Sequence, residues 1–112
     1  MAVTTEKTKF TIDSEGRWVI PKDPNAVLDY TIDWSKWLNA IGDTIASATA
    51  TLGAGATIVK DSNSNTTTVT TAIISGGTVP AVAGTLESIT FRIVTAGGRT
   101  EDRTLYFAIE ER

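Results

Sequence analysis

Asp29 and Asp33 lie four residues apart, and Glu87, Glu101 and Asp102 add carboxylates further along the chain. Two acids flanking a bond are the equipment of glycoside hydrolysis. On an extended strand, however, Asp29 and Asp33 share one outer face. An open face lacks the apolar cleft that holds one acid protonated. The chain has no histidine and no cysteine, which removes the commonest general base, the thiolate nucleophile and the commonest metal ligands together. Its serines and threonines therefore lack the usual activating base. Asp61-Ser62-Asn63-Ser64-Asn65 opens like a calcium loop, but Thr66 stands where that loop needs Gly and Ala72 where it needs a bidentate Glu. A polar turn fits those residues better. Asn65-Thr66-Thr67 is a glycosylation sequon without a secretion signal before it. These residues point to no catalytic group, no metal and no cofactor.

Two groups suit recognition. Trp34 and Trp37, with Tyr30 upstream, could stack on sugar rings as a carbohydrate-binding module does. The same residues could instead form core and cover one end of a domain, or anchor an interface, where Trp is enriched. Arg99, Glu101, Asp102 and Arg103 crowd the end of one hairpin. They read either as a solvated tip, where exposed ion pairs contribute little, or as charges that set register against a neighbouring subunit.

The elements that position these groups are strands. Ile89, Phe91 and Ile93 share one parity, as do Leu105, Phe107 and Ile109, so each strand has one apolar face. Gly97-Gly98 turns the chain between them. A two-residue turn there would set Ile93 opposite Asp102. A three-residue turn over Gly97-Gly98-Arg99 sets Ile93 opposite Arg103 and Phe91 opposite Leu105, and is the expected form.

Upstream, Val27–Trp34 alternates as a strand. Ser35 is placed to cap one helical turn that Gly42 ends. Strands follow at Thr44–Leu52, Ala56–Lys60 and Thr66–Ser75, and Thr78–Gly84 is a loop carrying Pro80. Phe10-Thr11-Ile12-Asp13 and Arg17-Trp18-Val19-Ile20 flank a short turn as a small hairpin or an extended arm. Pro21 and Pro24 mark the boundary between that arm and the main domain.

The sequence thus predicts an all-β, two-sheet antiparallel sandwich of six to seven strands over residues 22–112, with an N-terminal arm or small hairpin over 1–21. A small barrel is the alternative. One core fits 112 residues. The net charge of −3 opposes nucleic acid as a main partner. No apolar run approaches a membrane span, and the first residues carry no signal core, so a soluble protein made in a cytoplasm is expected.

KDPNAVLDYTIDWSKWL, DTIASATATL, SNSNTTTVTTAIISGG and FRIVTAGGRTEDRTLYFAIEER, in that order, resemble a family of small tailed-bacteriophage virion proteins of the Ig-like fiber-tail adaptor type. The likeness covers about residues 22 to 112 and leaves 1–21 outside. It implies a structural part of the virion, present in several copies at a symmetric junction and in contact with tail, neck or fiber proteins. It brings no catalytic or ligand residues. Capsid-surface decoration and sugar binding remain as alternatives. The interface candidates are Phe10, Ile12, Trp18 and Ile20 in the arm, Trp37, and the hairpin charges Arg99, Glu101, Asp102 and Arg103. An arm of this kind predicts that a chain without residues 1–20 folds but does not assemble.

Overall fold

The computed structural model describes residues 2–4, 11–12 and 17–111, the first two stretches as backbone alone. In chain order the elements are β1 (Ala2–Thr4), β2 (Thr11–Ile12), β3 (Trp18–Lys22), β4 (Leu28–Asp33), α1 (Ser35–Ile41), β5 (Ile45–Leu52), β6 (Ile58–Asn65), β7 (Val69–Gly76), β8 (Glu87–Thr95) and β9 (Thr100–Ile109). They form an all-β sandwich. One sheet runs β1-β4-β7-β6 and the other β2-β3-β9-β8-β5. Among the described residues every pairing is antiparallel except β3 with β9, which run parallel.

The core follows from period-two alternation. Tyr30 and Ile32 of β4, Ala72 and Ile74 of β7, and Ile89, Ile93, Leu105 and Phe107 of the β8–β9 hairpin are all buried between the sheets. Tyr30 meets Phe107 edge to face, with ring centroids 4.9 Å apart. Between Ile45 and Ser47 a bulge shifts the register of β5. It lets Ile45 and Ala50, of opposite parity, both face inward.

Three expectations shift in detail. The β8–β9 turn holds three residues, but they are Ala96-Gly97-Gly98, closed by Thr95 N–H donating to Arg99 O at 2.8 Å. Gly98 supplies the left-handed residue at φ 85°. Phe91 therefore opposes Arg103 and Ile93 opposes Glu101, two residues from the expected register. Parity is unchanged, because a three-residue loop preserves it wherever it is centred. Secondly, Asp61–Asn65 is strand, not turn. It pairs with β7 through a bulge between Lys60 and Ser62, and the turn moves to Thr66–Thr68, where Thr66 Oγ1 accepts the N–H groups of Thr68 and Val69. Thirdly, Ser35 opens α1 without capping it. The acceptor is Asp33 Oδ1, 2.9 Å from Ser35 N, while Gly42 ends the helix at φ 65°.

Trp18–Lys22 lies inside the second sheet. Ile20 and Lys22 are closed to solvent. Lys22 Nζ donates to Asp23 O, Ala26 O and Gly76 O at 3.1, 2.9 and 2.5 Å, and so ties β3 to the end of β7. Burial pulls its pKa down, with Asp23, Glu87 and Asp61 opposing that shift.

Candidate protein interface

The hairpin end of the sandwich carries Arg99, Glu101, Asp102 and Arg103, and each has a partner within the chain. Arg92 and Asp102 stand directly opposite on β8 and β9. They form a two-point pair, Nε to Oδ1 at 2.8 Å and Nη2 to Oδ2 at 3.0 Å. The hydrogen bond from Arg92 holds the Asp102 carboxyl below its usual range. Arg103 and Glu101 point toward the inner face and pair with each other at 3.1 Å. The Arg103 guanidinium also lies 6.0 Å from the Trp34 ring centre.

Arg99 reaches out of the hairpin to Asp43, between α1 and β5, at 2.9 Å. The Asp43 side chain is 6 % exposed. One oxygen accepts Thr44 N–H at 2.9 Å and Gly97 N–H at 3.0 Å. The Thr95 hydroxyl, those amides and Arg99 together hold its pKa at about 2. Ala96 N–H donates to Thr44 O at 2.9 Å beside it. Thus the four hairpin charges are three separate pairings, one of which clamps the hairpin to the helix end.

Trp34 is fully buried and donates its indole N–H to Thr70 Oγ1 at 3.0 Å. Trp37 is half-buried against the core, with its ring centre 6.3 Å from that of Trp34 and tilted by 58°. The two do not offer a flat exposed platform for a sugar ring. Trp18 is half-buried against the same core, and Ile20 is inside it. Ile12 lies in β2 opposite Trp18 on the backbone. Phe10 lies outside the described residues.

The opposite end is built from the β3–β4 connection, the β5–β6 turn and the β7–β8 loop. Residues 76–86 carry no charge. Val79 and Val82 of this loop are 45 % and 71 % exposed, and Val27 is 60 % exposed. An open hollow of about 430 Å³ lies between the loop and the β5–β6 turn, with Ala56, Val79, Pro80 and Leu86 on its walls. Glu87 anchors it. Its carboxylate accepts Thr57 N–H at 2.5 Å, Ile58 N–H at 2.8 Å and the Thr57 hydroxyl, which joins β8 to β6 across the two sheets.

Sequence reasoning passed over this end, although the charge-free run was visible. It also missed Asp43 and Arg92 and named Glu87 only as a possible catalytic carboxylate; the partners of the three lie 56, 10 and 30 residues away. No local spacing announces such contacts.

One end of the sandwich thus carries paired charges, and the other carries a charge-free loop with exposed valines. Residues 22–108 match the family described as podophage GP4 fiber-tail adaptor protein gp77, and the chain belongs to that family. A search of curated proteins gives no match.

Proposed function

We propose that this protein is a structural component of a podophage virion, an adaptor that links tail or neck components to fibers through protein–protein contacts. The observation that carries the reading is the family match across residues 22–108. The surface supports it. Val27, Val79 and Val82 are exposed at one end of a small domain, which offers a partner apolar side chains to cover there. Copies of the chain sit at a symmetric junction, with about six or twelve of them closing a ring. Phe10, Ile12, Trp18, Trp37 and the hairpin charges contribute contacts there, whereas Ile20 fills its own core. The adaptor works without catalysis and without a cofactor.

The same reading takes the sandwich as Ig-like. The order β1-β4-β7-β6 follows A-B-E-D, and β5-β8-β9 follows C-F-G. Here β3 adds a strand beside β9.

Quantitative mass spectrometry of purified particles tests the function. A fixed, low copy number per virion is expected. Copies in the hundreds would make the protein a capsid decoration instead, and its absence from particles would remove the virion role.

A further inference from the structure

We infer that copies of this chain pack head to tail, with the acidic outer face of the four-stranded sheet of one copy against the arginine-bearing outer face of the five-stranded sheet of the next. This deepens the proposed function by naming how copies meet, and rests on that reading for there being several of them at one junction.

The outer face of the four-stranded sheet follows from its register. Asp29 lies opposite Ile73, Thr31 opposite Thr71 and Asp33 opposite Val69. Ser62 lies on the other side of Ile73. Asp61, in the bulge beside it, accepts the Ser75 hydroxyl at 3.1 Å and so turns to the same face. Among the described residues this face holds three acids, Asp29, Asp33 and Asp61, and no lysine or arginine. Asp33 is engaged by Ser35 N–H and Asp61 by Ser75. Asp29 has no partner among the described residues. Ile73 lies between Asp29 and Ser62, Val59 lies opposite Ser75, and both apolar side chains are exposed.

The outer face of the five-stranded sheet has the opposite balance. Arg92 opposes Asp102, Thr90 opposes Thr104 and Ser88 opposes Tyr106. Val19 lies on the far side of Tyr106. Arg17 sets its guanidinium 5.3 Å from the Tyr106 ring centre. Among the described residues this face carries two arginines and one acid. Arg92 is exposed, and Asp102 takes one N–H from its Nε and one from its Nη2. A guanidinium has five N–H groups, so others are left to meet a second carboxylate. A hollow of about 270 Å³ opens beside Arg17, with Trp18, Arg103, Thr104 and Tyr106 as its other walls. Arginine and aromatic side chains are the types enriched where proteins meet.

Charge and spacing together make a second copy the occupant. Asp29 on β4 and Asp61 on β6 flank β7, two strand spacings or about 10 Å apart. Arg17, just before β3, and Arg92 on β8 flank β9 at about the same separation across the sheet. With β7 of one copy over β9 of the next, each acid meets an arginine, and Ile73 settles over Thr104 and Tyr106. Two acidic faces would repel each other instead, because like charges brought together across an interface are strongly unfavourable. The contact therefore joins unlike faces. These lie on opposite sides of the sandwich, so every copy offers one to each neighbour. Contacts of this kind continue from copy to copy and form a ring where the rotation closes.

The test uses the full chain and reads its sedimenting mass across a concentration series. The unmodified protein should form species larger than a dimer, and added salt should dissociate them. One variant, Asp29→Arg with Asp61→Arg, reverses the acidic face. Another, Arg17→Glu with Arg92→Glu, reverses the basic one. Each alone should associate about a hundredfold more weakly, because like charges then meet across the seam. A chain with all four changes has the parent's net charge and two complementary faces again, so its association should recover. Circular dichroism checks the fold of each. If a reversal melts early, Asp29→Asn with Asp61→Asn and Arg17→Gln with Arg92→Gln take its place, with the same direction of effect. An unmodified protein that stays monomeric, or that stops at a dimer, overturns the inference. So does a single-face variant that associates like the parent, or a four-change chain that folds and stays monomeric. Copy number separates this packing from the proposed function. A monomer still found at low copy in virions removes the packing and keeps the adaptor role, while a chain that associates as described but is missing from virions does the reverse.

Discussion

Asp43 shows how much of the hairpin end hangs on one side chain. Thr95, Thr44, Gly97 and Arg99 all donate to its carboxylate, and none of these contacts favours the protonated form. The folded-state pKa of about 2 lies below the ordinary 3.8. The linked stability is therefore fully present above pH 3.8 and is lost as the pH falls through about 2. Asn in its place keeps one accepting oxygen and loses the acceptor for Arg99. We expect Asp43→Asn to melt below the parent protein at neutral pH, with the gap closing as both are titrated toward pH 2. Melting curves across that range check it. A constant gap would mean that the clamp works by shape and not by charge.

At the scale of elements, the β8–β9 hairpin depends on a single left-handed residue. Nothing lies within 4 Å of where a Cβ on Gly98 would sit. Gly98→Ala therefore meets no clash and bears only the cost of φ 85° in a residue with a side chain, about 1 kcal/mol. A loss in Tm of roughly 4–8 °C by calorimetry is the expected outcome. This hairpin was largely legible in the sequence, since alternation fixes which residues face inward whatever the turn. The turn's position was not, because Gly97 and Gly98 both permit it and the choice is made at a distance, by Asp43 gripping Gly97 N–H and by Thr44 O taking Ala96 N–H. The same split recurs elsewhere. Val27–Trp34 announced β4 through Tyr30, Ile32 and Trp34, whereas Asp61–Asn65 hid a strand behind turn-forming residues. That strand exists because β7 is long enough to pair it from Ile58 to Asn65. The clamp at Asp43 was illegible for a related reason. It joins groups 54 and 56 residues apart, and only the closed sandwich brings them together.

For the molecule as a whole, the unit of family similarity and the unit of folding start at different places. The match begins at residue 22, and the sequence alone divided the chain at nearly the same point. Yet β3 begins at Trp18 and pairs along β9 from Leu105 to Ile109. Ile20 sits in the core without exposure, and Lys22 reaches from β3 to a carbonyl on β7. A chain of residues 22–112 loses the Ile20 side chain, worth about 2–5 kcal/mol by analogy with large-to-small core substitutions. It also leaves β9 with an unpaired edge. A small domain has only about 5–15 kcal/mol in hand. We therefore expect 22–112 to melt well over 10 °C below the full chain, using about 4–8 °C per kcal/mol, or to aggregate through β9. A chain of residues 17–112, which keeps β3, should come much closer to the full-length melting temperature. Circular dichroism melts of the two truncations decide the matter. If 22–112 melts like the full protein, β3 is an appendage and residues 1–21 regain the standing of a separable arm. If only 17–112 does, contacts with neighbours that use the N-terminal region must be made by residues before Arg17, because the strand behind them belongs to the sandwich.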